Sequence, residues 1–215
     1  INPNISIFNG EYISTNYIKF KKNNYLTFSG IGDPNSFKNT LKKYCIKNKY
    51  NLVHISTGDV FRKNMSNKTD LGMLAKGYME KGELVPDDVT VNMLKEELED
   101  HLPCNGVIFD GFPRTSYQAE KLDALLTKYS LNIHLTIALD VDNETLIKRL
   151  LNRGKSSGRA DDQSEDKINK RLQEYDKKTK PLIEFYTKQN KYKSINGIGE
   201  MDDITARIVN LLDNY

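Results

Sequence analysis

Five short runs of β-favouring residues recur along the chain, each followed by a longer stretch with helical periodicity, and this alternation constrains the fold more than any other feature. The runs are "YLTFS" (25–29), "LVHIS" (52–56), "GVIFD" (106–110), "IHLTIAL" (133–139) and "KYKSI" (191–195). Strand and helix in alternation are the pattern of βαβ units around a parallel sheet, so the expected class is α/β with five parallel strands and helices on both faces. The near-continuous apolar content of the first four runs suits strands covered on both sides. Helical patterns fill 37–47, 58–64, 71–81, 87–101, 116–129, 143–152, 165–189 and 202–212, with Thr115 and Asp142 placed as N-caps. Three helical segments separate the second strand from the third, more than a simple crossover needs, so an insertion is expected there.

At 215 residues the chain has room for one domain with a full core. No apolar run is long enough to cross a bilayer, and a net charge of +3 with both signs interspersed gives no footprint for nucleic acid; "KFKK" and "KKTK" read as solvated faces. Cys45 and Cys104 form neither a CxxC pair nor a disulfide framework, which makes a reducing, cytoplasmic compartment the expectation even though the first residue is Ile1.

Polar residues gather where the strands end. "HISTGDVFR" puts Ser56 and Thr57 at the carboxyl end of a strand, Gly58 and Asp59 at a helix start and Arg62 one turn in. Parallel sheets bind ligands at that edge. "FDGFPRTSYQA" repeats the arrangement: Asp110 closes a strand in the manner of a residue meeting a magnesium-bound phosphate, Gly111 admits close backbone approach, and Pro113 stiffens the turn that aims Arg114. Further on, "RGKSSGRADDQS" joins two helices as a charged, glycine- and serine-rich flap. Arg149 and Arg153 are four apart, on one helix face, where like charges repel unless an anion lies between them. Arginine forks suit bidentate contact with phosphate, and phosphoryl transfer is catalysed chiefly by positioning and charge neutralisation. Asp161 and Asp162 either hold water around a magnesium ion or pair with the arginines.

Taken in order, "HISTGDVFR", "EKGELVPDDVT", "DGFPRTSYQAE", "RLLNRGKSSGRADD" and "RLQEYDKKTKPLIEFY" make the chain from residue 25 onward resemble the adenylate kinase family of nucleoside monophosphate kinases, in its short-lid form. The resemblance implies a P-loop NTPase-type core over 25–215 behind an extension at 1–24, a monophosphate-binding insertion at about 56–85 and a lid at about 152–162. It further implies transfer of a phosphoryl group from ATP to AMP with Mg2+, by a monomer. By position, Thr57, Gly58, Arg62, Val85, Gly111, Arg114 and Gln118 would hold AMP. Arg159 and Arg171 would bridge the phosphates, Arg149 would lie against the donor base, Arg153 on its phosphates and Gly199 beside the adenine. Asp110 would hold the metal through water, and Lys38, Arg114, Arg153, Arg159 and Arg171 would be the catalytic set. The flap and "TKPLIEFY" look more like the sister UMP/CMP kinases, but Thr57, Thr115 and Gln118 follow the adenine pattern, which makes AMP the expected acceptor.

The phosphate loop departs from the family's GxPGSGKGT. "GDPNSFKNT" keeps Gly32, Pro34, Ser36, Lys38 and Thr40, and places Asn35, Phe37 and Asn39 where glycines belong. Asparagine is the non-glycine residue that best tolerates φ > 0, which fits Asn35 to the turn. Phe37 is the serious change, because the loop works by letting phosphate oxygens close to its backbone N–H groups. Loss of one or two charge-assisted hydrogen bonds at roughly 1.5–3 kcal/mol each lowers donor affinity or turnover by about tenfold to several thousandfold. Two readings follow: a working kinase, or a nucleotide-binding protein on the kinase fold with little turnover.

Overall fold

The computed structural model describes the backbone of residues 5–8, 11–14 and 24–29, and backbone and side chains over nearly all of 52–81, 83–104, 106–157 and 162–215. A sheet of five parallel strands runs in the order β4–β5–β3–β6–β7, formed by Asn24–Ser29 (β3), Val53–Ser56 (β4), Gly106–Asp110 (β5), Asn132–Asp140 (β6) and Tyr192–Asn196 (β7). All five expected strands are present, each within a residue or so of its sequence bounds. The register levels Ser56 of β4 with Asp110 of β5, and Asp110 with Phe28 of β3. Three carboxyl ends therefore open on one edge, the edge where the polar motifs lie.

Two further strands were not expected. Ile5–Phe8 (β1) and Glu11–Ser14 (β2) pair antiparallel with each other and with no other strand described here.

The helices cover both faces because the strands alternate. In β5, Val107 and Phe109 join a core with Ile55, Leu94, Leu98, Leu122 and Tyr186, while Ile108 turns to the other side, toward Leu135, Ile137, Ile204 and Ile208. The first face is covered by Asp87–Glu99 (α3), Ser116–Lys128 (α4) and Leu182–Thr187 (α7), the second by Met201–Asp213 (α8). Between β4 and β5 the insertion supplies Thr57–Ser66 (α1) and Asp70–Met79 (α2) ahead of α3. Thr115 and Asp142 both cap as expected, accepting from Gln118 N at 3.1 Å and Thr145 N at 2.8 Å.

Two helices depart from the sequence reading. Asn143–Ser157 (α5) runs five residues past the expected stop at 152, into the stretch assigned to the lid. The hydroxyls of Ser156 and Ser157 donate back to the Arg153 carbonyl at 3.1 and 2.7 Å, so the polar serines occupy carbonyls of the last turn instead of ending it. The single helix expected over 165–189 is instead Glu165–Glu174 (α6), a π-helical turn at Tyr175–Thr179, and α7. Pro181 has no N–H to give to the ladder, and Lys180 N reaches five residues back to Tyr175 O at 2.9 Å.

Candidate active site

The carboxyl ends of β4 and β5 bring one group of expected residues together. Thr57 directly follows β4, and its hydroxyl donates to Gly111 O at 3.2 Å and, more weakly, to Asp110 O at 3.4 Å. Gly111 has φ +70, and a Cβ built there would stand 3.0 Å from Arg114 Nη2 and 3.3 Å from Thr57 Oγ1. Glycine is therefore needed twice, for the left-handed turn and for the closeness of its neighbours. The turn brings Arg114 back on itself, so that Nε donates to Gly111 O at 2.7 Å, and the Phe112–Pro113 peptide within it is cis. Gln118, one turn into α4 and 2% exposed, accepts from Arg114 N at 2.7 Å. Arg62 folds over Gly58 and pairs with Asp59 at 2.5 Å, and Val85 is buried at the end of the insertion.

Asp110 stands at the strand end with one oxygen 3.4 Å from His54 Nε2. Among the described residues no group of three or more His, Cys, Asp or Glu side chains could hold a metal ion. A lone carboxylate at a sheet edge does fit magnesium, which keeps most of its waters and takes one or two carboxylates alongside substrate phosphates.

A second group gathers beyond the end of β6. Arg149 donates to Gly197 O at 2.8 Å and Gly199 O at 3.2 Å, and Arg207 from α8 holds the same loop through Asn196 O at 2.8 Å and Ile198 O at 2.6 Å. Arg153, one turn on, points elsewhere: its Nε donates to Asp162 Oδ2 at 2.5 Å, and Arg171 from α6 binds the other oxygen of the same carboxylate. Asp162 is wholly buried and Arg153 is 4% exposed. Gly154 permits this, since a Cβ at that position would overlap the Asp162 backbone. The expected repulsion between Arg149 and Arg153 is met by carbonyls for one and a carboxylate for the other. Of the two roles left open for Asp162, the structure displays pairing with arginine.

The two groups are joined through the π turn, where Thr179 Oγ1 donates to Arg114 O at 2.9 Å.

A sequence profile of the family described as "Adenylate kinase" matches residues 31–191. The chain belongs to the adenylate kinase family. Among its relatives are adenylate kinases from Flavobacterium psychrophilum, 49% identical over 184 residues, and Flavobacterium johnsoniae, 50% identical over 184 residues; in both cases the match covers 86% of this chain and 96% of the relative. The adenylate kinase of Bacteroides thetaiotaomicron is 44% identical over 183 residues, covering 85% and 96%. Membership gives the class of chemistry, that of a nucleotide-binding phosphotransferase.

Of the adenylate kinase site expected from sequence, Gly32, Pro34, Asn35, Ser36, Phe37, Lys38, Asn39, Thr40, Arg159 and Asp161 lie outside the described residues. Thr57, Gly58 and Arg62 lie on α1, Gly111 and Arg114 on the β5–α4 turn and Gln118 on α4, and Arg149, Arg153, Arg171 and Gly199 lie on α5, α6 and the β7–α8 loop. Sequence reasoning passed over Asp87, whose carboxylate holds Thr115 and Gln118, and Thr179 and His54 as well. Asp87 stood within a quoted motif, but only its fold partners, roughly thirty residues away, reveal what it does.

Proposed function

We propose that the protein is an AMP kinase, transferring the terminal phosphoryl group of ATP to AMP and yielding two ADP. The observation that carries this reading is the junction of Thr57, Gly111, Arg114 and Gln118 at the carboxyl ends of β4 and β5, a cluster of hydrogen-bonding groups with one arginine beside it. In this reading Gln118 meets the acceptor base, Thr57, Gly58 and Val85 line its nucleoside, and Arg62 and Arg114 bind its phosphate. Arg149 and the Gly199 loop receive the donor base, while the 30–40 loop with Lys38 takes the donor phosphates.

Arg153, Arg159 and Arg171 then neutralise the oxygens of the group in transit. Transfer is in line, from one phosphate oxygen to the other with no covalent enzyme intermediate, so the chain's work is orientation, charge stabilisation and exclusion of water. Asp110 would hold magnesium through water, and the ion would supply charge neutralisation at the donor phosphates. Arg153 and Arg171 would exchange part of their hold on Asp162 for these phosphates. The insertion at 56–85 and the lid at 152–162 would close over the pair of nucleotides, and the enzyme would work as a monomer in the cytoplasm.

Phe37 favours a second reading, a nucleotide-binding protein with little turnover. A coupled assay of ADP formation from ATP, Mg2+ and AMP decides between them, with UMP and CMP in parallel and Phe37→Gly alongside. Turnover of AMP in the parent is expected. No turnover in the parent, restored in Phe37→Gly, would establish the binding protein; preference for UMP or CMP would move the chain to the sister activity.

A further inference from the structure

Asp87 is the first residue of α3, where the helix N-terminus favours a negative charge, and it reaches across to α4. Its Oδ1 accepts from Gln118 Nε2 at 2.8 Å, and its Oδ2 accepts from Thr115 Oγ1 at 2.8 Å. On the other side of the same amide, Gln118 Oε1 accepts from Arg114 N at 2.7 Å. A carboxylate only accepts and a backbone N–H only donates, so the amide has one orientation. Turning it over would set oxygen against oxygen and N–H against N–H, in a side chain that is 2% exposed.

An amide has two N–H donors and two lone pairs. Among the described residues Asp87 occupies one donor and Arg114 N one lone pair, leaving one donor beside one acceptor in fixed order. Adenine presents a matching edge, with N1 accepting and the 6-amino group donating. Cytosine presents the same order through N3 and its 4-amino group. Hypoxanthine, guanine and uracil present the reverse, a ring N–H donor beside an oxo acceptor, and would need the amide turned over.

We propose that Asp87 is a positioning residue that fixes Gln118 to read amino-bearing bases and to reject oxo bases. The inference rests on the reading that Gln118 meets the acceptor base. It predicts an order that ring size alone does not give: AMP above IMP among purines, and CMP above UMP among pyrimidines. A site built to pair with particular donors and acceptors rejects the mismatched analogue strongly, because buried groups are left unpaired.

The test is isothermal titration of the full chain with AMP, IMP, CMP and UMP, which needs no turnover, repeated on Asp87→Ala and Asp87→Asn. In the parent, AMP is expected to bind at least about a hundredfold more tightly than IMP, and CMP more tightly than UMP. Asp87→Ala should lower the AMP-to-IMP ratio about tenfold or more, as Arg114 N alone then sets the amide, and Asp87→Asn, whose Oδ1 can still accept from Gln118, should lower it less. A purely structural role for Asp87 would weaken AMP and IMP together, and an unchanged ratio overturns the inference while the acceptor reading stands. Equal binding of AMP and IMP by the parent, or UMP bound as tightly as CMP, overturns it without any variant. Absence of binding by any of the four monophosphates would overturn the acceptor reading, and the inference with it.

Discussion

The two halves of the site hold their arginines by different means. On the β4–β5 side, Arg114 is set by a glycine turn: its Nε donates to Gly111 O, its backbone N–H donates to Gln118 Oε1, and its own carbonyl accepts from Thr179 Oγ1. On the α5–α6 side, Arg153 and Arg171 share one wholly buried carboxylate. The first arrangement follows the backbone path through Gly111. The second is a charge balance in which each ion depends on the others, and removing one partner leaves a buried charge uncompensated. Orientation comes from a backbone turn on one side and from a buried carboxylate on the other.

Several substitutions would break or sharpen that contrast. Asp162→Ala should cost the most, about 3–5 kcal/mol in chemical denaturation, the range for breaking a buried ion pair. A smaller loss would mean that the arginines find water, and that the two sides are held alike. Gly154→Ala keeps every charge but pushes the Asp162 backbone away from α5; about 1–3 kcal/mol is expected, measured the same way. Thr57→Val removes a donor on the other side at nearly constant volume, and about 0.5–1.5 kcal/mol is expected. A cost as large as that of Asp162→Ala would erase the contrast.

The smallest effect is one of pH. Burial lowers the pKa of His134 from its ordinary value of 6.5, the hydrogen bond to the Asn132 backbone opposes this in part, and Lys191 adds to the lowering. The unfolded chain therefore binds a proton on His134 at a higher pH than the folded chain does. Stability falls as pH drops from about 6.5 toward the folded value. Melting temperature followed over that window should decline in the parent and decline less in His134→Asn. Because His134 lies near the amino end of β6, away from both halves of the site, an unchanged slope in the variant would move the titration to some other group.

The parallel sheet was legible because its strands are short apolar runs bounded by turn residues, and all five were found at their places. The β1–β2 hairpin was legible too in principle, since "ISIF" and "EYIS" flank Asn9-Gly10, the dipeptide most typical of two-residue hairpin loops. Helix ends were harder. Ser156 and Ser157 look like breakers in sequence, yet their hydroxyls bond to the preceding turn, and Pro181 interrupts a helix whose periodicity runs on past it. The motifs placed Thr57 and Gly111 at strand ends, Arg114 on the turn that follows and Gln118 behind a helix cap. They could not say that Asp162 goes to the arginines or that Asp87 goes to Gln118. Those pairings are made between elements, and local sequence has no record of them.

The π turn sets an angular phase. Arg171 and Thr179 are eight residues apart, and eight α-helical steps of about 100° would leave them about 80° apart around the axis. A turn closed five residues back advances less per residue, which narrows that angle and brings Thr179 toward the side of the helix that carries Arg171. Had the segment stayed α-helical, the Thr179 hydroxyl would be rotated away from Arg114 O. One wide turn therefore lets a single helical rod address both arginines at once, Arg171 by its own side chain and Arg114 through its backbone.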